Sequence, residues 1–276
     1  MQIMPGTPFK NANKLSDTQL QIMMDKYGLD DPVPVQYLKY MGNLLQGDLG
    51  NSFQYDNTPV TDILGGLIGP SAQLGFQAMV FGTIVGIALG LISALKQNTW
   101  IDYGATFIAI LGKSIPSFVF AGLLQYWIGV KLGWLPVAFW RGWEYSILPT
   151  IALSIFPISI AARFMRTEMI EVLSSDYITL AKAKGASSFE VSVKHALRNA
   201  LIPVVTVLGP LMVSLMTGSL VIEKIFSVPG IGSQFVTSIQ TNDYQVIMGT
   251  TLLFAALFVF VVLIVDLLYG LIDPRI

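Results

Sequence analysis

The chain has no cysteine and only one histidine, His195, in 276 residues. Disulfide staples, thiolate metal sites and cysteine nucleophiles are therefore excluded. His195 has no carboxylate or serine at catalytic spacing, so it is read as a locally bonded side chain, and no catalytic residue is assigned. Charge is also scarce, at 12% of residues, where a soluble domain carries about a quarter. The net charge of -1 says nothing about partners, and no nucleic acid is expected among them. The 11 methionines are scattered, mostly in apolar runs where packing explains them, so no metal site is assigned.

What the chain has instead is apolar sequence. Hydrophobic residues make up 53% of it and the mean hydropathy is +0.64, which makes it a polytopic membrane protein. About 20 apolar residues span about 30 Å of hydrocarbon. Five windows qualify: 74–95, 104–130, 147–162, 200–222 and 248–265. Lys113 is the only charged side chain inside them. Their prolines do not veto helices, because neighbours in a bundle satisfy the backbone groups that proline frees. The expected fold is an all-α membrane bundle, residues 74–276, preceded by a small extracytoplasmic segment, residues 1–73.

Basic residues set the orientation, since they gather in cytoplasmic loops. Arg163, Arg166, Lys182, Lys184, Lys194 and Arg198 follow the third window, which places that loop inside. Alternation then puts residues 1–73 outside, 96–103 inside, 131–146 and 223–247 outside, and 273–276 inside. The outer N-terminal segment has four lysines against seven aspartates. Trp127, Trp134, Trp140, Trp143 and Tyr145 gather around the second outer loop, as an interfacial belt does. An outer N-terminal segment needs something to carry it across, and no basic leader or apolar stretch precedes Pro5. A further membrane helix upstream is the expectation.

The inner loop is the most informative segment. Ser175 is placed to cap a helix running to Lys184, with Gly185 at its left-handed end and Lys182 and Lys184 in the last turn. Ser187-Ser-Phe-Glu190 has capping-box spacing and starts a second helix toward His195, Arg198 and Asn199. The segment is either a plain positive-inside loop or a short helix built to be gripped from the cytoplasm.

Asp176-Tyr177, Ala181-Lys-Ala-Lys-Gly185 and His195-Ala-Leu-Arg-Asn-Ala-Leu-Ile-Pro203 resemble the loop signature of inner-membrane permease subunits of ABC importers, in the oligopeptide and dipeptide branch. The resemblance covers nearly the whole chain. It includes Pro5-Gly-Thr-Pro8, Asp31-Pro-Val-Pro-Val-Gln-Tyr37, Gly47-Asp-Leu-Gly50, Ser114-Ile-Pro-Ser-Phe118, Gly133-Trp-Leu-Pro136, Phe226-Ser-Val-Pro-Gly-Ile-Gly232, Val265-Asp-Leu-Leu-Tyr269 and Asp273-Pro-Arg275. Two departures from the general permease loop, Thr179-Leu-Ala181 in place of Glu-Ala-Ala and a different spacing from Gly185 to Pro203, suit the peptide branch.

The resemblance implies a multi-pass subunit of the bacterial inner membrane, in a family with six spans. It implies a homologous second permease, two cytoplasmic ATP-binding subunits carrying ATP and magnesium, an external peptide-binding protein, and membrane lipid around the whole. Asp176, Tyr177, Ala181, Lys182, Ala183, Lys184 and Gly185 would then form a coupling helix seated in an ATP-binding subunit. Small side chains at Ala181, Ala183 and Gly185 would permit close approach. Nickel or another small solute is the alternative cargo within the branch.

Other features are weighed beside this. Gly112-Lys113-Ser114 imitates the tail of a phosphate-binding loop, but Phe107 stands where that loop needs glycine. Lys113 is read as lying near the cytoplasmic end of its helix, either snorkelling or lining the pathway. Gly82, Gly86 and Gly90 form a small-residue face for helix packing. Gly209-Pro210 marks a candidate bend. Glu223, Phe226, Pro229, Gly230 and Gly232 form either a plain re-entry turn or an outer gate or binding-protein contact. Glu223 either meets a peptide N-terminus or pairs near Lys224, and Asp266 is read as a structural partner for a helix end. A membrane hydrolase would need a buried nucleophile and base. A secondary transporter or channel would show paired mid-membrane charges and an inverted repeat. Neither pattern is present in the sequence.

Overall fold

The structure, a computed structural model, describes residues 8–9, 16–216 and 218–272. The Asp273-Pro-Arg275 motif, the inside assignment of 273–276 and most of Pro5-Gly-Thr-Pro8 lie outside the described residues. Two short helices come first, α1 (Asp17–Lys26) and α2 (Val33–Leu44). Ser16 and Gln19 cap α1 reciprocally, side chain to backbone in both directions. The long α3 (Val60–Leu95) follows, then α4 (Trp100–Ser114) and α5 (Ser117–Leu124), which runs on as a wide π-helical stretch, Gln125–Lys131. Next come α6 (Ile147–Leu173), α7 (Asp176–Ala183) and α8 (Ser188–Glu190), which winds through a π-helical stretch, Val191–Ala196, into α9 (Leu197–Met216). The chain closes with α10 (Leu220–Phe226), α11 (Ile231–Gln240) and α12 (Tyr244–Ile272).

Among the described residues, four helices are long and apolar enough to cross a membrane: α3, α6 with its preceding turn, α8–α9 and α12. The pair α4 and α5, bent by 106° at Ile115-Pro116, meets the same measure only when taken together, as one broken span or a re-entrant loop. Pro116 causes the break, because it disfavours helical backbone at Ile115, which is extended.

Several helices depart from the hydropathy windows for local reasons. At 36 residues, α3 is about 54 Å long at 1.5 Å per residue and begins well before residue 74. It keeps its helix through Gly65, Gly66 and Pro70 because Val60 and Leu64 are buried against Val246 of α12. Helix α6 continues past Ala162 to Leu173, so Arg163 and Arg166 lie on it and not in a loop. Helix α9 stays continuous through Pro203 and Pro210. The break comes later, at Gly218 with φ +95°, which starts α10 as a separate element.

Helices α3 and α6 pack closest. A Cβ on Gly82 would stand 2.8 Å from Pro157 Cγ, one on Gly86 2.5 Å from Ala161 Cβ, and one on Gly90 2.5 Å from the Ala162 carbonyl oxygen. Contact of this kind gives van der Waals cohesion where lipid offers no hydrophobic drive between helices. The core beside it joins Leu74 and Ala78 of α3 to Met165 and Met169 of α6 and Val204 and Leu208 of α9.

The N-terminal segment docks on the turn between α11 and α12. Phe9, Tyr27 and Phe53 form an aromatic cluster with centroid separations of 4.9 to 5.9 Å. The fully buried Asp243 accepts hydrogen bonds from Ser52 Oγ and the Phe53 backbone N–H. Gln54 Nε2 donates to the Thr241 carbonyl at 2.8 Å.

Overpacking of this kind costs about 1–3 kcal/mol. Gly86→Val is therefore expected to lower the thermal midpoint in detergent by several degrees, whereas Gly104→Val, which meets nothing within 4 Å, leaves it unchanged. Equal midpoints would remove the close contact from the account.

Candidate functional site

The inner loop is built around one short helix. Ser175 has the extended backbone of a cap, φ -75° and ψ 156°, but its hydroxyl donates to the Val172 carbonyl at 2.6 Å and caps no N–H. At the other end Gly185 (φ +90°) donates its N–H to the Lys182 carbonyl, and Ala186 donates to the Ala181 carbonyl. That pair of bonds is the Schellman closure. A Cβ on Gly185 would meet nothing within 4 Å, so the glycine serves the left-handed turn.

Helix α7 is pinned below as well. Ile178 is fully buried in the core cluster with Val191 and Ala196. Tyr177 Oη accepts from Asn199 Nδ2 at 2.7 Å. Ala181 is half-buried and packs inward, so the exposed residues are Asp176, Tyr177, Thr179, Leu180, Lys182, Ala183, Lys184 and Gly185. Leu180 is 56% exposed and Phe189 76%, two large apolar side chains uncovered beside lysines. Sequence reading missed both, although Leu180 lies three residues after Tyr177, the spacing that puts two side chains on one face. Ser187 Oγ accepts from the Glu190 N–H at 3.2 Å, but the Glu190 carboxylate pairs with Lys194 at 2.7 Å, so the capping box is half closed. His195 is exposed.

At the opposite end of the bundle, Glu223 and Phe226 are fully buried, with Gly230 and Gly232, and Pro229 is exposed. Glu223 Oε1 accepts from Ser71 Oγ of α3 at 2.7 Å and Oε2 from the Ser233 N–H at 2.8 Å. Ser71 Oγ in turn accepts from the Ile231 N–H at 2.9 Å. The carboxylate thus sits on the N-terminus of α11, where unpaired N–H groups favour an acceptor. A Cβ on Gly218 would come 2.6 Å from Oε1, and one on Gly230 would overlap the carboxyl group. Glu223 is therefore a clasp between α3, α10 and α11, paired neither with Lys224 nor exposed to a peptide. Burial pushes its carboxyl above the usual glutamate range, and the donors from Ser71 and Ser233 pull it partly back.

A third feature went unnoticed in the sequence. Asp102, near the start of α4, is 1% exposed and takes two bonds from Arg166 of α6, Nε at 2.7 Å and Nη2 at 2.8 Å. Ser93 Oγ and the Asn98 N–H also donate to it. Sixty-four residues separate the pair, so no local spacing signals it. Lys113 is exposed in the last turn of α4, beside the 106° bend. That is the end of α4 far from the 96–99 link. Gly112-Lys113-Ser114 accordingly ends a helix, whereas a phosphate-binding loop starts one. Asp266 is exposed on α12.

A bundle with four helices long and apolar enough to cross a membrane among its described residues, and a pinned short helix at its basic end, has the make-up of a multi-pass membrane protein. Residues 86–276 match the family model of the binding-protein-dependent transport system inner membrane component, and the chain belongs to that family. It is 48% identical, over all of its length and 91% of the relative's, to the dipeptide transport system permease protein DppB of Lactococcus lactis subsp. cremoris. It is 45% identical to DppB of Bacillus subtilis, over all of this chain and 90% of that one. With the oligopeptide transport system permease protein OppB of Salmonella typhimurium the identity is 42%, over all of this chain and 91% of that one. Among solved structures, the inward-facing MetNI methionine ABC transporter aligns with TM-score 0.63 over 76% of this chain and 96% of that one, at 16% identity. That likeness concerns the fold.

Two outcomes follow from the buried charges. Because the folded-state affinity of Glu223 for its proton is raised, its stabilising contribution is complete below the unfolded value, about 4.3, and is lost as pH rises through the folded value. Glu223→Gln is therefore expected to flatten the fall of thermal midpoint with rising pH, and an unchanged slope would contradict this. Asp102→Ala, which strands Arg166, is expected to cost about 3 kcal/mol, and adding Arg166→Met to recover much of it in a chemical-unfolding series.

Proposed function

We propose that the chain is one half of the translocation pathway of an ATP-driven importer of dipeptides or oligopeptides, with α7 as its coupling helix. Peptide cargo is supported by full-length similarity to permeases named for dipeptide and oligopeptide transport. The coupling role is supported by one observation above all: α7 is closed at its C-terminal end and pinned beneath, yet turns an exposed face away from the bundle. A helix so held passes displacement on instead of absorbing it.

In this reading a homologous second permease completes the pathway. Two cytoplasmic subunits bind and hydrolyse ATP with magnesium, and an external binding protein delivers the peptide. Closure of the ATP-binding subunits moves α7 as a rigid body. Ile178 and Tyr177 carry that movement to α9, biasing the bundle between inward-open and outward-open states. Leu180 and Phe189 enter apolar pockets of the partner while Asp176, Lys182 and Lys184 ring them with charge. Gly185 keeps the helix end compact. At the far end, the corner of Glu223, Phe226, Pro229, Gly230 and Gly232 acts as an outer gate element through its rigidity, with Pro229 as its exposed tip. Lys113, exposed at the bend, lines the pathway.

Leu180→Asp and Phe189→Asp are each expected to weaken association with the ATP-binding subunits by about 2 kcal/mol. Peptide-stimulated ATP hydrolysis in proteoliposomes should fall in step, with the thermal midpoint of the isolated chain unchanged. Gly185→Arg is expected to uncouple hydrolysis from uptake. Full coupling in all three variants would overturn the role given to α7.

A further inference from the structure

A cavity of about 350 Å³ lies between α3, α4 and α6, toward the end of the bundle that carries the basic loop. We propose that it binds the phosphate of a phospholipid from the inner leaflet, with Arg163 as the principal ligand and Arg166 assisting. Nothing in the coupling or pathway roles above uses this space.

Charge is the first argument. Arg163 and Arg166 both line the cavity. Arg166 spends Nε and Nη2 on Asp102, and a guanidinium has five N–H donors, so the remainder is free to act. No described carboxylate pairs with Arg163, which is exposed. The site therefore holds more guanidinium than the protein neutralises, and phosphate is the oxyanion such a fork fits.

Depth and shape narrow the source of that phosphate. Asp102, bonded to Arg166, lies at the start of α4, one turn after the 96–99 link. Trp100 and Tyr103 beside it are 82% and 66% exposed, the position of interfacial anchors. The cavity thus sits at headgroup level on the inner side, where basic pockets between membrane helices take lipid headgroups. Gly90, Ala105, Ala109 and Ala162 supply small walls that leave room for more than a bare ion. Outside them, Phe107 and Ile110 of α4 are 60% and 51% exposed and continue the surface as a track for acyl chains.

The test uses the full importer purified in mild detergent and stripped of lipid, titrated with phosphatidylglycerol and read by native mass spectrometry. Arg163→Gln is expected to weaken phosphatidylglycerol binding about tenfold. Arg163→Lys should give an intermediate loss, and Arg141→Gln, an arginine of the outer loop, none. Diacylglycerol, which lacks the phosphate, should not compete. Equal binding by wild type and Arg163→Gln would overturn the proposal. Displacement of the lipid by millimolar inorganic phosphate would also overturn it, by making the cavity a site for free anions.

Discussion

The close approach of α3 to α6 is the constraint on which the rest of the molecule depends. Three glycines let one helix meet the other at backbone distance, and no other residue type would fit. Once α3 is seated, hydroxyls on either side of the glycine stripe become attachment points. Ser93 reaches Asp102 and so ties in α4, and Ser71 reaches Glu223 and so ties in α10 and α11. Each hydroxyl meets a carboxylate, the pairing that makes a buried polar contact strong in a low-dielectric interior. Helix α3 is therefore the spine of the bundle, with a packing stripe and a polar fastener on either side of it.

The two ends differ in how they treat charge. The corner around Glu223 encloses its carboxylate in glycine backbone and leaves Lys224, Ser227 and Pro229 exposed. The basic end exposes most of what it has, including lysines, Leu180 and Phe189. Lysines beside uncovered large apolar side chains are the composition of a surface awaiting a partner. Rigidity is common to both. In the corner it comes from a buried acceptor with three elements around it, and in the loop from a Schellman closure and one anchoring isoleucine.

Much of the architecture is legible in the residues, because apolar length and basic asymmetry act through composition alone. The all-helical membrane bundle follows from those two signals. The end of α7 is legible because Gly185 answers a local backbone requirement, a left-handed turn, that few other residues meet. Tertiary bonds are not legible in this way. Arg166 reads as one more positive loop residue until α6 is seen to extend past Ala162 and bring it to Asp102. Glu223 reads as an accessible acid because its burial depends on Ser71, far away in the chain. Ala181 looked like part of a contact face, yet a helix of eight residues has an inward side, and Ile178 fixes which side that is.

The clasp at Glu223 also dictates an order of assembly. Ser71 precedes Glu223 by 152 residues, so α3 enters the bilayer long before its acceptor has been synthesised. Arg166 follows Asp102 by 64 residues, and the inner fastener can form while α10 is still inside the ribosome. The contact at the basic end can therefore form first, and the Glu223 corner closes only when most of the chain has been made.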